Sequence, residues 1–150
     1  MKKVFLGGTC ARTVWRRELI KLLKIDYFNP VVKDWTEECM AEERRQREIC
    51  DFCLYVITPS MKGVYSIAEV IDDSNKRPER TVFCVLEKEI PIRIDVNHNG
   101  EELPIFPNMK KKFFKYGEMK SLDKVGKMVE RNGGKYFKDL KSVADYLNNN

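Results

Sequence analysis

Glu69 is the residue whose type fits its neighbours least. It lies in Val64-Tyr65-Ser66-Ile67-Ala68-Glu69-Val70, with Ile71 following, so a charge is set among largely apolar side chains. A carboxylate in such a place can serve as a nucleophile or an acid–base group, and it can also be a solvated helix residue. The residues alone leave both readings open. The other chemistry-bearing side chains narrow the field. His98 is the single histidine, which argues against a histidine-based triad or a His-rich metal site. Five cysteines, Cys10, Cys39, Cys50, Cys53 and Cys84, are an odd number. Cys50-Asp51-Phe52-Cys53 matches a C-x-x-C spacing but straddles the entry to an apolar strand, so small buried hydrophobes are the better reading. No metal and no cofactor is expected.

The elements that would position Glu69 follow from periodicity. Lys3 to Gly8 is a short apolar run closed by Gly7-Gly8, a buried parallel strand. Trp15 to Lys24 carries a helical apolar face, and Ile25 to Phe28 reads as a second strand stopped by Asn29-Pro30. Thr36 to Cys50 is a polar helix with Thr36 as its N-cap and Glu37 and Glu38 in the first turn. Phe52 to Thr58 is a buried strand, Val64 to Asn75 a helix, and Thr81 to Leu86 another buried strand. Strands alternating with helices predict an α/β domain, a parallel sheet of about five strands with helices on both faces. Residues 87–120, with Pro91, Pro104 and Pro107, break the rhythm and read as a hairpin-like insertion or irregular loop. Helical pattern returns over Leu122 to Arg131, followed by a brief edge strand at Lys135 to Phe137 and a last helix from Leu140 to Leu147.

In such a sheet, ligands bind beyond the carboxyl ends of the strands. Three stretches would meet there: Gly7-Gly8-Thr9-Cys10, Phe28-Asn29-Pro30, and Thr58 to Gly63. Glycines at positions 7 and 8 would let backbone N–H groups approach a ligand closely. The first stretch is neither G-x-G-x-x-G nor a P-loop, and no acidic residue follows in the ribose-binding place, so a dinucleotide-dependent oxidoreductase is disfavoured.

At 150 residues, with 43% hydrophobic and 34% charged residues, the chain fits one soluble domain, residues 1–150, and a cytoplasmic location is expected. No run approaches the roughly 20 apolar residues of a membrane span, so no membrane partner is expected. The formal charge is +5. Lys110-Lys111-Lys112 with Phe113, Phe114 and Tyr116 reads as a solvated turn before a strand with buried aromatics. The competing reading, a nucleic-acid patch, is disfavoured because basic residues elsewhere are interleaved with acids.

The order strand–Gly7-Gly8–Trp15-Arg16, Asp26-Tyr27-Phe28-Asn29-Pro30, Cys50 to Pro59, and Gly63 to Glu69 resembles the nucleoside 2-deoxyribosyltransferase superfamily, over roughly residues 3 to 86. The resemblance implies a flavodoxin-like sheet and a glutamate nucleophile, whose position Glu69 matches. It also implies a second carboxylate eight residues before Asp51, which is Glu43, acting on the leaving base. The substrate implied is a nucleoside or nucleotide cleaved at its N-glycosidic bond, by transfer or hydrolysis. Ser60, Thr9 and Arg16 would contact a phosphate; Gly63 and Tyr65 would line the pocket, and Asn29 would sit at its edge. The superfamily pattern has an Asp where this chain has Gly63, and a Tyr where it has Phe5. A homo-oligomer is expected. The alternative from another class is a catalytically silent nucleotide-binding module using the same cleft.

Overall fold

A computed structural model describes residues 1–10, 12–90, 93–96, 98–99, 101–105 and 110–150, apart from the side chains of 93–96 and 102–105. The first half is β1 (Lys3–Gly8), α1 (Trp15–Ile20), β2 (Asp26–Phe28), α2 (Glu37–Ile49), β3 (Phe52–Ile57), α3 (Tyr65–Lys76) and β4 (Thr81–Val85). The second half is β5 (Lys88–Glu89), β6 (Arg93–Val96), β7 (Glu102–Ile105), β8 (Lys112–Phe113), α4 (Tyr116–Arg131), β9 (Lys135–Phe137) and α5 (Leu140–Asn149).

Five strands form one parallel sheet in the order β2-β1-β3-β4-β9. This is the flavodoxin-like α/β arrangement that alternating strands and helices imply. After β1 the chain steps outward to β2, then returns to build β3 on the other side. The crevice at this reversal opens above the carboxyl ends of β1 and β3.

Alternation along the strands separates two apolar layers. Val4, Leu6, Leu54 and Val56 face Trp15 and Leu19 of α1 and Val143 and Leu147 of α5. Phe5, Cys53, Tyr55 and Phe83 face the opposite way, against Val70 of α3 and Leu122 and Val129 of α4. β1, β3 and β4 are buried almost throughout, which is why each reads as a continuous hydrophobic run. Cys50, Cys53 and Cys84 are buried and all five cysteines are free. Burial pushes the Cys53 thiol up to about 12, so the C-x-x-C pair is packing material rather than a redox couple. No described helix is long and apolar enough to cross a membrane.

Two boundaries depart from expectation. α1 stops at Ile20, because the amides of Leu22 and Leu23 turn back onto Leu19 and Ile20. α4 starts at Tyr116, six residues before its apolar periodicity begins. Its start is set by the Glu118 carboxylate accepting the Lys115 N–H at 2.6 Å. The stretch that breaks the rhythm contains two short antiparallel pairs, β5 with β8 and β6 with β7. The aromatics expected to be buried after Lys112 are not: Phe113 and Tyr116 are exposed, and only Phe114 packs on the core.

Candidate active site

The cleft above β1 and β3 has a volume of about 490 Å³. Its floor is main chain at Gly7 and Gly8. Gly8 has φ +115°, and a Cβ there would lie 2.0 Å from the Val56 carbonyl oxygen. The position therefore requires glycine.

One wall is α3. Its buried residues Glu69, Val70, Asp73 and Ser74 recur at a four-residue spacing, which puts them on one inward stripe. Glu69 borders the cleft while remaining only 7% exposed. The facing wall is α2, entered through the Thr36 N-cap, whose hydroxyl accepts the Cys39 N–H. Glu43 and Arg47, one turn apart, both border the cleft. Glu43 is half-buried, so it is not a fully solvated member of its charged run. A third wall, formed by Pro30, Val31, Val32 and a 58% exposed Trp35, is apolar.

The electrostatics distinguish the carboxylates. Burial raises the Glu69 carboxyl to about 7; Arg47 opposes the shift, while Glu43 and Asp73 add to it. Burial also raises Glu43, against Arg47, Arg16 and Arg44. Two carboxyls held above the ordinary range in one cleft are a mark of functional sites. Beneath them, Arg47 bridges the two buried carboxylates of α3, Glu69 and Asp73. Its Nη1 donates to Glu69 Oε1 at 3.1 Å, its Nε to Asp73 Oδ2 at 3.3 Å and its Nη2 to Asp73 Oδ1 at 2.9 Å. Arg77 and the Tyr55 hydroxyl also donate to Asp73.

A smaller recess of about 220 Å³ adjoins the cleft and shares Gly8, Cys10, Tyr65 and Ser66 with it. Thr9, Ser60 and Gly63 border this recess. Their polar groups are mostly engaged: Thr9 Oγ1 accepts the Thr58 N–H at 3.0 Å, and the Ser60 N–H donates to Glu89 Oε1 at 2.9 Å. The Glu89 carboxylate also accepts from the hydroxyls of Thr13 and Thr58. It thus joins the loops after β1 and β3.

The other sequence candidates are placed as follows. Tyr65 stands at the mouth, 74% exposed. Arg16 borders the cleft but is buried, and its guanidinium donates to the carbonyls of Leu6, Gly8 and Thr9. Trp15 is packed in the core with Nε1 on the Thr9 carbonyl. Asn29 is exposed, borders neither recess, and accepts the Val31 N–H. Asp51 lies at the opposite, amino edge of the sheet, accepting the Lys3 N–H at 2.7 Å. Phe5 is fully buried against Tyr55. Among the described residues no cluster of three His, Cys, Asp or Glu could hold a metal ion.

Residues 1–88 match the family described as nucleoside 2-deoxyribosyltransferase like. The chain belongs to that family. No curated protein matches it. Membership in the nucleoside 2-deoxyribosyltransferase-like family makes glycosyl transfer the general kind of chemistry, with a small nucleoside-type molecule as the ligand class. The matched span contains both cleft carboxylates and Arg47, and ends one residue before Glu89.

Sequence reasoning does not single out Arg47, Asp73 or Glu89. For Arg47 a signal exists: it lies four residues after Glu43, hence on the same face of α2. Glu89 follows the last strong strand in a segment with no periodicity to read.

Proposed function

We propose that this domain cleaves or transfers at the N-glycosidic bond of 2-deoxynucleosides or their monophosphates, with Glu69 as nucleophile and Glu43 as proton donor. The observation that carries the reading is that Glu69 and Glu43 converge on one cleft with an apolar wall on one side and a smaller adjoining recess. A flat, aromatic base suits the wall of Val31, Val32 and Trp35. The sugar then lies over the glycine floor, with its anomeric carbon toward Glu69.

In the first step a Glu69 carboxylate oxygen bonds to the anomeric carbon as the bond to the base nitrogen breaks. Protonated Glu43 gives its proton to that nitrogen, so the base leaves neutral. In the second step a nitrogen of another base, or water, attacks the same carbon. Its proton returns to Glu43, and Glu69 departs as carboxylate. Two displacements at one carbon retain the anomeric configuration. The step needs one proton on the pair, carried by Glu43 while Glu69 is ionised; burial raises both carboxyls, and the Arg47 hydrogen bond favours the charge on Glu69.

Glu89 bears on the choice between nucleoside and monophosphate. The Ser60 amide and the hydroxyls of Thr13 and Thr58, donors that would suit a phosphate, already hold a carboxylate. A phosphate brought there would meet its negative charge, so the substrate with a free 5′-hydroxyl is favoured. A homo-oligomer is part of the proposal, since Val64 and Tyr65 are exposed beside the cleft.

The test is incubation with 2-deoxynucleosides and, separately, their 5′-monophosphates, with free base measured and intact protein weighed. Base release together with a deoxyribosyl adduct on Glu69 is expected. In Glu69→Gln the adduct is absent and the rate falls by at least about a thousandfold, as when a nucleophile is removed. Gly63, in place of the superfamily pattern's Asp, favours a second reading, binding without turnover. Nucleoside binding with no base released by the wild type would establish it.

A further inference from the structure

We propose that Arg47 is the positioning residue of this site: its guanidinium holds the Glu69 carboxylate in one orientation at the cleft wall, and Asp73 in turn holds the guanidinium. The inference rests on the reading of Glu69 as nucleophile and adds the device that aims it.

The geometry has three parts. First, Arg47 grips Asp73 through a fork, Nε to Oδ2 at 3.3 Å and Nη2 to Oδ1 at 2.9 Å. A planar guanidinium held at two points has no rotational freedom left to give away. Second, the remaining Nη1 points at Glu69 Oε1, 3.1 Å away. Glu69 Oε2 accepts no hydrogen bond from the described residues. One oxygen is thus tethered, and the other keeps its lone pairs for an electrophilic carbon in the cleft. Third, Asp73 does not need Arg47 for neutralisation. Arg77 donates to Asp73 Oδ1 through Nε at 2.9 Å and Nη2 at 2.8 Å, and the Tyr55 hydroxyl donates to Oδ2. Two guanidinium groups around one fully buried carboxylate leave a positive charge unmatched. The Glu69 carboxylate, in hydrogen-bond contact at 3.1 Å, matches it more closely than Asp72, which stands 3.8 Å from Arg47 Nη2.

The groups facing Glu69 are few. From α2 they are Arg47 and Glu43, with Arg44 beside Glu43 and Arg16 of α1 acting on Glu43 from behind. From its own helix they are Asp73 and, 3.8 Å from Arg47 Nη2, the half-exposed Asp72. β3 contributes Tyr55 through Asp73. Arg47 is the one cation in hydrogen-bond contact with the Glu69 carboxylate among the described residues. It therefore opposes the desolvation that favours a neutral, non-nucleophilic acid. When the glycosyl ester on Glu69 is later displaced, the same Nη1 receives the carboxylate that departs.

The experiment compares wild type with Arg47→Met, Arg47→Lys and Arg77→Met. Two quantities are read. One is the titration midpoint of the Glu69 side-chain carboxyl, followed by carbon-13 NMR and assigned with Glu69→Gln. The other is the pH profile of base release from 2-deoxynucleosides. Loss of an opposite charge raises a carboxyl by about one unit or more, so Arg47→Met moves the Glu69 midpoint and the acid limb of the profile upward together. From ionisation of Glu69 alone, base release falls about fivefold at pH 7, since a midpoint moved from about 7 to about 8 leaves about a tenth ionised there. Arg47→Lys keeps the charge and loses the fork: the midpoint stays near the wild-type value while kcat falls and KM holds. Arg77→Met lowers Tm and leaves the Glu69 midpoint in place. An unmoved midpoint and acid limb in Arg47→Met overturn the proposal. If that variant does not fold, wild-type kcat in Arg47→Lys overturns it. A wild type that releases no base sinks the nucleophile reading, while the NMR midpoint still reports whether Arg47 governs Glu69.

Discussion

The turn of α3 that carries Glu69 and the next turn, which carries Asp73, share one guanidinium and differ in everything else. Burial opposes ionisation of both. At Asp73 the hydrogen bonds from Arg47, Tyr55 and Arg77 outweigh that burial, and its carboxyl is held below the ordinary range. At Glu69 one hydrogen bond from Arg47 does not, and the carboxyl rises to about 7. The number of donors, not burial, separates a structural carboxylate from one able to change its proton state near neutral pH. A satisfied carboxylate holds α2 against α3. An under-satisfied one, four residues earlier, faces the cleft.

The largest way to break this contrast is Asp73→Asn. It leaves the guanidinium groups of Arg47 and Arg77 without their shared buried anion, a loss of about 3–5 kcal/mol by the precedent of broken buried pairs. Urea unfolding at pH 7.5 measures it. A loss under 1 kcal/mol would show that Asp73 does not hold the two helices together.

Next in size is Glu43→Gln. Removing a general acid typically costs 10²–10⁴-fold, and a loss of about a hundredfold in base release is expected. The substitution also deletes a negative charge that raises Glu69. The acid limb of the pH profile should therefore move to lower pH even as the rate drops. A rate loss with an unmoved limb would disconnect the two carboxylates.

The smallest effect concerns stability. The Glu69 carboxyl titrates higher in the folded protein than in the unfolded chain, from 4.5 to about 7. The unfolded chain thus loses this proton first as pH rises, and folding stability falls across that window. Glu69→Gln escapes the loss. Relative to wild type, its stability should climb by about 2 kcal/mol between pH 5.5 and pH 7.5, then level off. Thermal or urea denaturation at several pH values reads the difference, and a constant offset would mean that Glu69 is not shifted.

Much of the scaffold is legible in the residues. β1, β3 and β4 are buried on both faces, so their hydrophobic runs are nearly uninterrupted and their order predicts the parallel sheet. Glu69 stands out because a charge interrupts a largely apolar stretch of sequence, Ile67 to Ile71. Arg47 does not, because six of the seven residues from Glu42 to Glu48 are charged, and its place one turn after Glu43 marks a shared face without ranking it above its neighbours. Its role comes from Asp73, 26 residues later, and only tertiary packing brings the two together. The same holds for Glu89, whose partners lie on two loops far upstream. The start of α4 escapes periodicity for a different reason: its first turn is exposed, and an N-terminal hydrogen bond, not apolar spacing, sets the boundary.

The glycine floor has a consequence for how this cleft can change. At position 7 a methyl group would strike the rings of Tyr55 and Phe5, and at position 8 it would strike the backbone of the neighbouring strand. The base of the pocket is therefore closed to side-chain variation. Altered ligand preference has room to enter through the walls, above all at Val31, Val32 and Trp35, which stand half in solvent and lie outside the sheet.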